Sequence, residues 1–63
     1  MCEIVVRRHY PYDTEVEVIR DMGAFNSTIK FWLSMPAVVE ITVTTQDTVF
    51  VWVDGKWSAH SRA

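Results

Sequence analysis

The sequence predicts a small β-rich domain. It is either all-β, as an antiparallel meander or barrel-like sheet of five to six strands, or α+β, with one helix near 26–35 packed on the sheet. Turn signals divide the chain into short segments rich in Val, Ile, Thr, Trp and Phe, Asp54-Gly55 marks a tight hairpin, and residues 37–45 alternate between apolar and polar side chains. With two glycines and two prolines the chain offers no linker, so we expect residues 1–63 to form a single domain.

The first two predicted strands form a hairpin in which residues 3–8 pair with residues 14–20 across a loop at 9–13. Several registers are conceivable, and we expect the one that collects aliphatic side chains on one face and an opposite-charge pair on the other. This register places Val6 opposite Val16, Ile4 opposite Val18, and Arg7 opposite Glu15.

The segment 25–35 has two interpretations. Apolar and polar residues alternate from Ile29 to Met35, and the strand-favouring Thr, Ile, Phe and Trp in the segment make a strand the favoured interpretation. The alternative is a helix capped by Asn26 and ending before Pro36. Its apolar side would consist of Phe25, Ile29, Trp32 and Leu33. A strand gives a six-stranded sheet, whereas a helix would cover one face of a curled sheet.

Residues 37–45 predict an antiparallel strand with one buried and one wet face. The residues expected to point inward are Val39, Ile41 and Val43. Those expected to point outward are Val38, Glu40, Thr42 and Thr44.

The last predicted element is a hairpin of residues 49–53 and 56–60. Asp54-Gly55 suits a two-residue type I′ turn, because both central residues of that turn need a positive φ. The turn fixes the register, with Val53 opposite Lys56 and Trp52 opposite Trp57. Strand alternation then puts an aromatic set on one face, expected to be core: Phe50, Trp52, Trp57 and Ala59. The other face holds Val49, Val51 and Val53 with Lys56, Ser58 and His60.

Charge and cysteine content narrow the classes of function. Six Lys+Arg against eight Asp+Glu give a net charge of −2, which lacks the positive charge that dominates nonspecific nucleic-acid binding. The single cysteine, Cys2, cannot make an internal disulfide, which favours a cytoplasmic location. No apolar stretch approaches the roughly 20 residues that span a bilayer, so we expect no membrane segment.

We predict no catalytic residues, no metal site and no cofactor. Cys2, His9 and His60 lack the local spacing of a zinc site. Glu15 and Glu17 lie side by side on the wet face of a strand, where they form no cleft. The isolated glycines form no phosphate-binding loop.

Aromatic and apolar residues on expected surfaces predict a protein interface, because exposed rings with a nearby arginine are common interface anchors. The candidate partner-binding residues are Arg7, Arg8, Tyr10, Tyr12, Trp32, Val49, Val51 and Val53. We therefore expect a non-enzymatic interaction module that binds a larger protein as an inhibitor, adaptor or small subunit. By analogy, short enzyme-free chains are a common format among host-targeting proteins of phages and mobile elements.

Two further hypotheses stay open. One is a single-stranded nucleic-acid-binding barrel, with bases stacked on Tyr10, Tyr12 and Trp32 and phosphates bound by Arg7, Arg8 and Lys30. The net charge makes this the weaker alternative. The other is a homodimer, because the valine ridge of the last hairpin is apolar and the last strand is a candidate sheet edge. Positive charge on that strand opposes pairing by the edge itself.

Overall fold

The computed structural model describes residues 2–62, with Met22 described by its backbone alone. The elements, in chain order, are β1 (Cys2–Arg8), β2 (Glu15–Ile19), a 3-10 turn (Met22–Ala24), α1 (Phe25–Ser34), β3 (Val38–Thr44), β4 (Thr48–Val53) and β5 (Lys56–Ser61). The strands form one five-stranded sheet in the order β2-β1-β3-β4-β5, and every neighbouring pair is antiparallel. The prediction of a small antiparallel, β-rich domain is confirmed.

The chain crosses over once, because β2 and β3 lie on opposite sides of β1 and α1 connects them. β1 therefore occupies an interior position of the sheet although it is first in sequence. β2 and β5 are the two edges, so the last strand, a candidate edge in the sequence, is one of them.

The segment 25–35 is a helix, so the favoured strand interpretation is wrong and the helical alternative is right. A helix places Phe25, Ile29 and Trp32 on one side, and these three residues pack against the buried face of the sheet. The sheet needs such a cover, because β1 and β3 present an apolar face that no other layer among residues 2–62 buries. Leu33, which the helical alternative placed on the same side, is exposed instead.

Local hydrogen bonds define both ends of α1. The helix follows a 3-10 turn in which the Gly23 N–H donates to Asp21 Oδ1 at 2.9 Å. The N-cap is Ala24 and not Asn26, and no side chain caps the helix there. At the other end the Met35 N–H donates to the Trp32 carbonyl, and Met35 is already extended, as a residue before proline prefers to be.

The first hairpin has a register that differs by one residue from the predicted one. Val5 pairs with Val16 and Glu3 with Val18, so both β2 valines lie on the face opposite to Ile4. The predicted pairs Val6–Val16, Ile4–Val18 and Arg7–Glu15 are wrong. The observed register instead places Ile19 opposite Cys2 in the core, and Glu15 and Glu17 on the helix side, where each carboxylate has a hydrogen-bond partner.

The core lies between α1 and the centre of the sheet. Its fully buried side chains are Ile4, Val6, Ile41 and Val43, all from β1 and β3, and Cys2, Ile19 and Trp32 complete it. The aromatic face of the last hairpin was predicted to be core, but only Trp52 packs against the core. Phe50 is 38% exposed and Trp57 is 45% exposed. The helix covers the sheet centre and leaves these two rings beside it.

β3 follows its predicted alternation except at its start. Ile41 and Val43 are buried, as predicted. The register with β1 shifts between Arg7 and Arg8, which pair with Glu40 and Val38, so Val39 is left out of the pairing. Val38, and not Val39, therefore packs against the core.

The turn and the register of the last hairpin are as predicted. Asp54 and Gly55 have φ values of 53° and 78°, the two positive values of a type I′ turn. Val53 pairs with Lys56 and Trp52 pairs with Trp57. The Val49, Val51 and Val53 side chains therefore lie on the sheet face that α1 does not cover.

Candidate functional site

The Arg8 guanidinium contacts other residues of the fold and is not a free cation. Its guanidinium lies 5.0 Å from the centroid of the Tyr12 ring and 5.6 Å from that of Trp32. The same group forms a 2.9 Å ion pair with Glu15, and Arg8 Nε donates to the Asp13 carbonyl at 3.1 Å. Stacking and hydrogen bonding together occupy the guanidinium, so Arg8 fastens the 9–13 loop to the sheet.

Trp32 was predicted to be an exposed partner-binding residue, and this prediction is wrong because its side chain is in the core, with 7% exposure. Its indole N–H donates to Glu17 Oε2 at 3.0 Å, which satisfies the buried donor. The ring also meets the Phe31 ring edge-on, with centroids 5.1 Å apart. Phe31, the neighbouring residue on the helix, is exposed instead.

The other partner-binding residues predicted in the N-terminal half are accessible, but they do not share one surface. Tyr10 is 96% exposed at the tip of the loop, while Tyr12 is exposed beside Arg8. Arg7 lies on the opposite face of the sheet, with its Nε 3.6 Å from Glu40 Oε1. The structure therefore does not bring the two arginines and the aromatic rings together on one surface.

An apolar groove of about 300 Å³ runs between α1 and the last hairpin. We call it the aromatic groove, and its lining residues are Phe25, Asn26, Ile29, Val43, Phe50 and Trp57. A helix of ten residues is about 15 Å long, whereas five strands spaced at about 4.8 Å are about 24 Å wide. One such helix cannot cover the whole sheet. The groove lies where the helix-side face of the sheet stays open.

Sequence reasoning missed this groove because it assigned Phe50 and Trp57 to the core. The length of the candidate helix was the feature of the sequence that could have predicted the groove. Only the segment 25–35 was available as a helix, and a helix of that length leaves part of a five-stranded sheet bare. Residues from the strand pair farthest from the helix were the candidates for exposure.

The sheet face opposite α1 is a second candidate surface. We call it the valine face, and its valines are Val5, Val16, Val18, Val49, Val51 and Val53. Val16, Val18 and Val53 are among the most exposed large apolar side chains of the protein, with Val16 at 58%. The predicted residues Val49, Val51 and Val53 thus lie on an uncovered face, beside valines of β1 and β2 that were not predicted to join them.

Within 2–62 no group of three or more His, Cys, Asp or Glu side chains is placed to hold a metal ion. Ser58 Oγ and His60 Nε2 are 3.2 Å apart, and both residues are exposed on the edge strand β5. The only cysteine of the chain, Cys2, is buried in the core.

Helices able to span a membrane do not occur between residues 2 and 62. Comparisons of the chain with protein-family models, curated proteins and solved structures found no match. The fold and its two uncovered apolar surfaces are therefore the basis for inferring function.

Proposed function

We propose that this protein is a non-enzymatic interaction module that binds a larger protein through the aromatic groove, as an inhibitor, adaptor or small subunit. The observation that carries the proposal is the pair of half-exposed rings, Phe50 and Trp57, facing Phe25 and Ile29 across an apolar depression. Large aromatic side chains in a shallow pocket are frequent anchors of protein interfaces. We also propose that the protein acts in the cytoplasm, because its single cysteine forms no disulfide.

The groove fits an apolar side chain of a partner better than it fits a polar small molecule. Asn26 is the one polar residue among its lining residues. A ligand with several polar groups would leave them without hydrogen-bond partners in such a site, which is costly. An aliphatic or aromatic anchor on the partner surface would bury Phe50 and Trp57 further with no such cost.

The nucleic-acid alternative has weaker support. Base stacking requires accessible rings beside free cations, but Trp32 is buried and Arg8 is held by Glu15 and two rings. Arg7 lies next to Glu40 on the other face of the sheet. Tyr10 and Tyr12 alone offer no continuous platform.

Affinity capture with matched variants tests the proposal. We expect wild-type protein to bind a defined protein from extracts of its source, and Phe50→Thr or Trp57→Thr to weaken the purified complex at least about tenfold, because anchor residues commonly contribute about 2 kcal/mol or more. Leu33→Thr changes an exposed apolar residue outside the groove and serves as the control. Equal affinity of wild-type protein and both groove variants, at unchanged melting temperature, would overturn the proposal.

A further inference from the structure

We propose that the valine face binds a second copy of this chain, so that two sheets stack face to face with both helices on the outside. This inference concerns the surface opposite the aromatic groove and does not depend on the proposed function. It is based on the order of residues across the five strands, on the symmetry of their charges and on the area of the face.

The central row of the valine face carries no charge. Residues directly opposite each other in antiparallel strands project on the same side, so the register defines rows across the sheet. The central row reads Val16, Val5, Thr42, Val51 and Ser58 from β2 to β5. An uncharged row over the full width of a sheet is the pattern expected of a packed layer, and α1 lies on the other side.

Charged residues lie in the rows above and below the central row. One outer row reads Val18, Glu3, Thr44, Val49 and His60. The other reads Arg7, Glu40, Val53 and Lys56. Glu3 and Arg7 are therefore at equal distances from the central row, on the same strand and with opposite charges.

A two-fold axis along the central row makes this face complementary to itself. The rotation exchanges the outer rows, so Glu3 of each copy meets Arg7 of the other, and Val49 meets Val53. Arg7 already lies beside Glu40, so in the dimer it would contact two carboxylates. Lys56 would approach His60 only at the exposed edge of the sheets. An axis parallel to the strands would instead stack Glu40 on Glu40 at the centre, which disfavours that arrangement.

The area of the face is close to the minimum that a specific dimer interface needs. Five strands at about 4.8 Å spacing and three rows at about 6.8 Å give a flat footprint of about 490 Å² per copy, or about 1,000 Å² for two. The relief of the side chains adds to this flat area. The flat total is close to the roughly 1,000 Å² that a specific interface should exceed, and the relief raises it towards the usual range of about 1,200–2,000 Å². Aligned stacking of two such sheets is the geometry of β-sandwiches.

The test is the oligomeric state of the full chain by sedimentation equilibrium over a range of concentrations. We expect wild-type protein to approach twice the monomer mass. Val51→Lys puts a charge in the central row and should leave only monomer. Glu3→Lys should raise the dimer dissociation constant at least about tenfold, because the new positive charge would face Arg7 of the other copy. The double variant Glu3→Lys/Arg7→Glu should regain most of the affinity, since it restores the opposite charges.

Two controls separate this dimer from other modes of association. Phe50→Thr and Trp57→Thr alter the aromatic groove and should leave the dimer intact. A monomer at every concentration overturns the proposal. So does a dimer that is insensitive to Val51→Lys and to the charge exchange, because that dimer would use a sheet edge or the groove. Circular dichroism of each variant checks that the monomeric fold persists.

Discussion

Trp32 is the residue through which helix, sheet and loop are joined. Its ring is buried against the core, its N–H donates to Glu17 on β2, and the Arg8 guanidinium covers it from the side of the loop. A buried indole needs an acceptor, and this requirement accounts for the carboxylate of Glu17 on the helix side of the sheet. The same contact helps to select the register of the first hairpin.

Removing the acceptor of Trp32 tests this explanation. We expect Glu17→Leu to lower the free energy of unfolding by about 1–3 kcal/mol, because the buried indole N–H would lose its partner. Urea unfolding at one fixed protein concentration measures the change.

Glu17→Gln is the matched control for that variant. The amide oxygen of Gln still accepts a hydrogen bond, so this variant should lose less stability than Glu17→Leu. Equal stabilities of Glu17→Leu and wild-type protein would contradict the role assigned to this hydrogen bond.

The elements that could be predicted from sequence are those determined by local signals. The Asp54-Gly55 turn sets its own register, and the alternation of β3 identifies the buried Ile41 and Val43. The segment 25–35 could not be decided locally, because its apolar residues satisfy a period of two and also a helical period. The decisive information is that β1 and β3 need a covering layer, which is a property of the whole fold.

The candidate surfaces were predictable to a similar extent. Val49, Val51 and Val53 lie on an uncovered face because the hairpin register was predicted correctly. The contribution of Val16 and Val18 was missed, because apolar β2 residues were expected in the core and not on the open face. In β2, where valines and glutamates alternate, hydrophobicity favours the wrong register because Trp32 and Arg8 take the two carboxylates as partners.

The turn between α1 and β3 contains backbone strain that a substitution can relieve. Ala37 has a φ of 72°, a conformation that costs an L-residue roughly 1–2 kcal/mol, while its carbonyl accepts a hydrogen bond from the His9 N–H. We expect Ala37→Gly to raise the free energy of unfolding by about 0.5–1 kcal/mol, since the relief of strain exceeds the entropic cost of glycine. Thermal and urea unfolding measure this gain.

Gly55→Ala is the opposite experiment. Gly55 has a φ of 78°, and no atom of the described residues beyond Gly55 and its chain neighbours lies within 4 Å of an added Cβ, so the conformation alone is tested. This variant should lose about 1 kcal/mol. A loss of stability in Ala37→Gly would contradict the assignment of strain to that turn.

At the scale of the whole molecule, one short helix covers a sheet that is wider than the helix is long. A chain of about 60 residues buries only about 60% of the surface that it exposes when unfolded, so its stability as a monomer is small. In the part of this 63-residue chain that the structure describes, two apolar surfaces are open, the aromatic groove on one side and the valine face on the other. Binding at either surface would add stability, because a ligand that binds only the folded state shifts the equilibrium towards it.

The self-complementary valine face therefore predicts a melting temperature that depends on protein concentration. If folded dimer converts to two unfolded chains, a roughly 40-fold rise in concentration, from about 5 to about 200 µM, adds about 1 kcal/mol per chain. For a domain of this size that corresponds to an increase of roughly 4–8 °C. Val51→Lys, as a monomer, should melt at the same temperature throughout the range. A constant melting temperature in wild-type protein would mean that the fold gains no stability from a second copy.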